Sequence, residues 1–363
     1  MPFDPTGPAA PPPAGRGAVA NVPHRFERCR LSPFDDGWGS LDEPAPKLRT
    51  VVTAEAARTI LTGNDSPDIP FERSINPYKG CEHGCIYCFA RPTHAYLGLS
   101  PGLDFESRIF SKTNAAALLR ETLRKHGYRC RALALGANTD PYQPIERQQR
   151  ITRAILEVLS EFRHPVSIVT KSNLVLRDVD LLAPMAGSSL AAVFVSITTL
   201  ERTLARRMEP RAPTPQRRLE AVRELARAGV PVGVLASPMI PGLNDHELER
   251  ILESAAEAGA TSAGYLALRL PHELKQLFVD WLEAHYPTRA RKILARIREM
   301  RGGRLNDPRF GSRMRGEGPY AELLRRRFSV CARRLGFASE RIRLDETKFR
   351  VPPQSGDQGR LFV

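Results

Sequence analysis

The chain has 363 residues, 42% of them hydrophobic and 26% charged, enough to bury one large core or two modest ones. No stretch approaches the roughly 20 apolar residues that cross a bilayer, and the opening MPFDPTGPAAPPPAGRGAVA lacks the basic and then apolar regions of a secretion signal, so a cytoplasmic protein with no membrane partner is expected. A formal charge of +14 leaves two readings open: attraction to the phosphates of nucleic acid, or arginines spread over solvated helix faces.

Residues 1–20, rich in Pro, Ala and Gly, offer no periodic apolar face and read as a disordered tail. Residues 21–70 read as an irregular N-terminal layer with one helix around EAARTIL (55–61). From Arg73 the pattern becomes strand, loop, helix, six times over. RSINPYKG (73–80) enters a cysteine loop and precedes a helix near 113–126. RALALGA (131–137) runs into NTDPYQPIE and then a helix whose Ile151, Ile155, Val158, Leu159 and Phe162 share one face. VSIVT (166–170) precedes a helix over RDVDLLAPM (177–185), and AAVFVSITT (191–199) precedes two helical segments, the second ending at Gly229. VPVGVLA (230–236) leads through SPMIPG to Asn244 and Glu247, a capping-box-like helix start. SAGYLALRL (262–270) is the sixth strand, followed by helices to about Met300.

Residues 302–345 are basic and glycine-punctuated, then helical. Their Arg309, Arg313 and Arg315 either hold phosphate over the mouth of the fold or form the solvated face of a packing cap. Residues 346–363 read as a flexible tail, in which Gln358, Leu361 and Phe362 resemble the Q-x-x-L-F pattern of peptides that dock into bacterial sliding clamps, making the clamp a candidate partner.

Alternating apolar strands and amphipathic helices imply parallel pairing through right-handed crossovers. The six units in 71–301 predict an α/β fold: an open, partial (β/α)6 TIM-type barrel, with the N-terminal irregular layer and a C-terminal helical extension. Loops at the C-terminal ends of such strands gather on one rim, where sites are built. That rim would carry the cysteine loop, the NTD triplet, Lys171, Ser196–Thr199 and Ser237–Pro241.

Residues 81–88 read CEHGCIYC, three cysteines without a fourth. Cys29, Cys130 and Cys331 are scattered too widely for a small-domain disulfide framework, so the thiols are expected to be reduced, with Cys130 structural. One reading of the trio is zinc, with His83 or His94 as fourth ligand, although zinc sites more often pair C-x2-C elements. A second is a four-iron cluster on Cys81, Cys85 and Cys88 that leaves one iron open for an exogenous ligand. A third is a redox or metal-sensing module without catalysis.

With Tyr87 before the last cysteine, in the loop after the first strand of six βα units, C-x3-C-x2-C resembles the radical S-adenosylmethionine (SAM) superfamily. The resemblance implies a [4Fe–4S] cluster, SAM bound to the open iron, an external one-electron reductant, and a 5′-deoxyadenosyl radical that abstracts hydrogen from a substrate. NPYKGCEHGCIYCFARPTHAYLG, GANTDPYQPIE, VTKSNLVLRDVDLL, MEPRAPTPQRRLEAVRELARAGVPVGV and SPMIPGLND further resemble a bacterial subgroup labelled DNA repair photolyase-like, related to spore photoproduct lyase, from about residue 70 to 330. That subgroup implies nucleic acid as substrate, with a flipped-out lesion. Modification of a protein or peptide by the same chemistry is the alternative. The characterised lyases carry an additional cysteine at the end of strand two that returns a hydrogen atom. Here that place reads GANTD (136–140), a departure that puts photoproduct repair in doubt.

The resemblance also suggests cofactor contacts. Asn138, Thr139 and Asp140 occupy the place of a Gly-Gly-Glu-like motif that touches the SAM ammonium, unless they form only an Asx-type turn before Pro141. Lys171 would neutralise the SAM carboxylate or else cap a solvated strand end. Ser196 and Thr198 present hydroxyls inward, to ribose or to backbone. Arg207, with Glu209 and Arg211 in RRMEPR, reaches carboxylate or ribose or makes a helix-end ion pair. Tyr87 acts through its backbone at the adenine, or its ring is core.

Overall fold

A computed structural model describes residues 13–28, 48–338 and 340–353; Cys29 and the clamp-like Gln358, Leu361 and Phe362 lie outside them. The strands are β1 (Val51–Glu55), β2 (Leu61–Gly63), β3 (Arg73–Ile75), β4 (Tyr78–Lys79), β5 (Arg108–Lys112), β6 (Leu133–Leu135), β7 (Val166–Thr170), β8 (Ala191–Ser196), β9 (Val232–Met239) and β10 (Ser262–Ala267). The larger sheet runs β10-β9-β8-β7-β6-β3-β2. Its six parallel strands follow chain order, and β2 adds an antiparallel edge. This is the expected open α/β arrangement of six βα units.

One face of the central strands is apolar and closed off from water, and the strand register sets its side chains next to one another. Val166, Ile168, Val193, Val195 and Val234 are fully buried. The helices supply matching stripes: Ile151–Glu161 buries Ile155, Leu156 and Leu159, and Thr214 caps Pro215–Arg227 by accepting from the Arg217 N–H. Among the described residues no helix is long and apolar enough to cross a membrane.

Several expectations are corrected. EAARTIL is not a helix: the β-branched run Val51–Thr53 pairs in parallel with β5, from Val51 opposite Arg108 to Glu55 opposite Lys112. The Asn114 side chain then holds both the N–H and the C=O of Ala57 at 2.9 Å. The first predicted strand also divides. Across Asn76–Pro77 the chain leaves the large sheet and, as β4, joins a smaller sheet of order β1-β5-β4. A proline has no N–H to continue the ladder.

Residues 13–20, read as part of a disordered tail, are packed against the cysteine loop, with Ala18 fully buried. Asn244 and Glu247 do not form a capping box. The Asn244 amide instead donates to Thr198 O and Pro238 O and accepts from Ile240 N, while Glu247 accepts from the Thr199 hydroxyl and the Leu200 N–H. Asn244 thereby staples the ends of β8 and β9 together, and Glu247 holds the segment that follows β8. Residues 346–353 are not a free tail: Glu346 accepts from Ala132 N, Arg350 N donates to Phe162 O, and Phe349 packs on Tyr128 and His164. They close the N-terminal ends of the strands, opposite the rim.

Candidate active site at the cysteine rim

The cysteine loop is held from below by buried polar groups. Arg91 and Glu106 are both fully buried and paired. Arg91 also donates to Cys85 O at 2.8 Å, Gly84 O at 2.9 Å and Gly102 O at 2.8 Å. Glu106 in turn accepts the N–H groups of Gly17 (2.9 Å) and Ala18 (2.8 Å), which clasps the N-terminal segment onto the loop. Two glycines make this fit. Gly84 sits at φ +67°, and a Cβ on it would lie 2.6 Å from Glu106 Oε2; a Cβ on Gly17 would lie 1.8 Å from Gly84 O. On the far side Gln143, also fully buried, accepts from Glu82 N (2.9 Å) and donates to Gly80 O (3.2 Å).

Cys81, Cys85 and Cys88 are free thiols, the first two buried and the third half-buried. Burial first, then the Asp140 carboxylate and the two neighbouring thiols, push Cys81 well above the usual thiol range. Burial likewise raises Cys85, opposed by Lys171. Three soft donors that disfavour one another's ionisation, on a loop fixed by its carbonyls, suit a cationic iron–sulfur group. For a single zinc ion the trio would need a histidine as fourth ligand. His94 Nε2 is engaged with Arg108 O at 3.0 Å and His83 Nδ1 lies 3.3 Å from Asp140 Oδ2, which leaves the other ring nitrogen of each, including the buried Nδ1 of His94, without a partner among the described residues. Among the described residues no three of His, Cys, Asp and Glu converge on one ion position.

The NTD triplet divides its labour. Asp140 accepts from Lys171 N (2.8 Å), the Thr170 hydroxyl (2.7 Å) and Tyr142 N (2.9 Å), and faces His83. Burial alone would raise its pKa; His83 and these donors outweigh burial and hold it at about 2. Asp140 is therefore a brace between strand ends. Thr139 is committed too, its hydroxyl donating to Tyr78 O at 3.0 Å. The backbone N–H of Asn138 is pinned by Asn76 Oδ1 at 2.8 Å, which leaves its half-buried amide side chain as the group of this motif available to a ligand.

Lys171 places its ammonium 5.7 Å from the centre of the Tyr87 ring, on the cysteine side. Tyr87 is buried through its ring, and its hydroxyl donates to Glu209. Thr198 joins the same network, 2.7 Å from Glu209 Oε1 and 3.0 Å from Ser237 O, and Arg218 completes it by pairing with Glu209 and donating to Ser196 O at 3.2 Å. The Thr198 hydroxyl is thus spent on the protein, while buried Ser196 keeps its own beside it. Arg207 is not brought to the rim: its guanidinium lies 5.1 Å from the Tyr286 ring. Arg211 pairs with Glu82 at 3.2 Å, behind the loop.

No local pattern in the sequence marks Arg91, Glu106, Gln143 or Arg218 as supports of this loop. Cys130 lies 3.6 Å from His164 and Cys331 beside Glu249, on elements other than the cysteine loop.

The chain matches the family profile of the radical SAM superfamily over residues 75–255. An uncharacterised protein of Mycobacterium tuberculosis is 38% identical over 234 residues, which cover 64% of this chain and 68% of that one. An uncharacterised protein of Methanocaldococcus jannaschii is 31% identical over 213 residues, 59% of this chain and 76% of that one. Among solved structures, a spore photoproduct lyase complexed with dinucleoside spore photoproduct aligns at 18% identity with a TM-score of 0.46 over 65% of this chain. The alignment spans 66% of the lyase, just under two thirds of its length.

Proposed function

This chain belongs to the radical SAM superfamily and is an enzyme, and we propose that Cys81, Cys85 and Cys88 hold a [4Fe–4S] cluster with one iron left for SAM, in a reaction on a nucleic-acid substrate in the cytoplasm. The observation that carries this reading is the trio itself: three free thiols on one braced rim loop, with Cys130 and Cys331 built into other elements. Bound together, cluster and SAM supply a carbon-centred radical for hydrogen abstraction once an external reductant delivers one electron.

The protein's own contributions follow from the braces. Arg91 fixes the carbonyls of Gly84 and Cys85, so the thiols keep their spacing. Lys171 offers a positive charge to a carboxylate, and Asn138 offers an amide oxygen to an ammonium. Tyr87, held by Glu209, walls the site on the side of Lys171 and leaves its backbone to an adenine edge. The nucleic-acid part rests on the +14 charge.

Anaerobic reconstitution tests the proposal. Roughly four irons per chain are expected, with a reducible visible spectrum and formation of 5′-deoxyadenosine under dithionite. C81A, C85A and C88A should each abolish both signals. One tight zinc and no product would dismiss the cluster. An affinity for oligonucleotides that does not fall with salt would dismiss the nucleic-acid substrate.

A further inference from the structure

Arg269 follows β10 by two residues, on the rim that carries the cysteines. Its Nε is buried and makes no hydrogen bond among the described residues, and its Nη1 meets only Met314 Sδ, a weak acceptor, at 3.5 Å. The nearby carboxylates are taken: Asp68 pairs with Arg313, and Asp307 and Glu317 pair with Arg309. Two more guanidinium groups stand close. Arg301 spends its donors on the carbonyls of Leu268, Ser312 and Arg313 rather than on an acid. Burial and then Arg313 lower the pKa of Arg269, and burial and then Arg269 lower that of Arg301 to about 10. A half-buried cation whose Nε is shut off from water without a partner, set among like charges, needs an explanation, and an incoming anion supplies one.

The surroundings indicate which anion. The Arg269 guanidinium lies 5.8 Å from the centre of the Phe89 ring, and Arg313 lies 4.5 Å from that of Phe310. Both rings are large and open, 49% and 62% exposed, and Phe89 directly follows Cys88. Exposed aromatic rings beside guanidinium groups form the platform on which a single strand stacks a base while its phosphate is held.

We propose that Arg269 is the phosphate anchor of the substrate site, taking a backbone phosphate of a single nucleic-acid strand whose base lies against Phe89. This rests on the nucleic-acid reading above and adds to it a named recognition point beside the cluster loop. Arg313 contributes field without being free, since Asp68 holds it.

The test compares full-length reconstituted wild-type protein with R269Q and R269M by fluorescence anisotropy. The probes are a single-stranded oligothymidylate and its uncharged methylphosphonate counterpart. Loss of one charge-assisted contact should weaken oligothymidylate binding about tenfold in both variants and leave methylphosphonate binding unchanged. R269M should also melt higher by roughly 2 °C, because it removes an unsatisfied buried donor. A lower melting temperature together with equal loss for both probes would make Arg269 a structural brace and overturn the anchor. Oligothymidylate binding within twofold of wild type would overturn it as well. If the wild-type protein cleaves SAM yet binds neither polymer, nucleic-acid substrate and anchor fall together. If it binds and the variants bind equally, only the anchor falls.

Discussion

Arg91 and Glu106, both shut off from solvent, face each other directly beneath the cysteine loop, and every other hydrogen bond they make ends on that loop, on its flank or on the N-terminal segment. The pair is a joint between three pieces of chain. Removing one partner leaves the other charged and unpaired, which typically costs about 3–5 kcal/mol. E106Q and R91M should each lower stability by that order in urea unfolding, and the reconstituted proteins should lose iron on gel filtration. A variant that keeps both its midpoint and its iron would show that the loop holds itself.

The contact between Gly17 and Gly84 predicts an unusual sensitivity to one methyl group. In G17A the new Cβ cannot coexist with Gly84 O at 1.8 Å, so the N-terminal segment must lift. Faster tryptic cleavage at Arg16 and a loss of about 2 kcal/mol are expected. G187A, where nothing lies within 4 Å of the new atom, is the control and should be neutral.

Lys171 is the one rim cation in contact range of Tyr87 that no carboxylate holds among the described residues. In the reconstituted enzyme K171M should weaken SAM binding by roughly tenfold in calorimetry, with iron content unaltered. K171R should recover part of the loss, since the charge is restored with a different shape. Equal affinity in all three proteins would remove Lys171 from the cofactor site.

His164 predicts a pH dependence far from the rim. Its ring is fully buried between the Tyr128 hydroxyl (2.9 Å) and Pro165 O (3.0 Å), and burial first, then Arg73, pulls its pKa from 6.5 to about 4. The unfolded chain therefore takes up the proton before the native protein does. The stabilisation is complete above pH 6.5 and is lost as pH falls from 6.5 toward 4, to a limit of about 3 kcal/mol. Urea midpoints measured across that window should fall for the wild type and flatten for H164Q.

The legible parts of this protein are those written in local pattern. Apolar runs such as VSIVT and AAVFVSITT identify the core strands, and the compact cysteine spacing identifies the family. What supports that loop is illegible for a physical reason. Arg91 and Glu106 stand 15 positions apart on separate elements, and in sequence each looks like any solvated charge. RRMEPR shows the same limit from the other side. Glu209 turns inward to Arg218 and Tyr87 while Arg207 turns outward to Tyr286, and only the packed helices decide which is which. Asn244 and Glu247 carry the right letters for a cap, but a deeper demand, the unpaired backbone just after β8, claims both.

Cys85, Ile86 and Tyr87 pack in one apolar cluster with Leu277, Phe278, Trp281 and Ile293, which the ribosome adds nearly two hundred residues later. During synthesis the cysteine loop is thus born without its roof, and the roof closes only when the last third of the polypeptide emerges. The cover over residues 85–87 is in this way completed only by the far end of the chain.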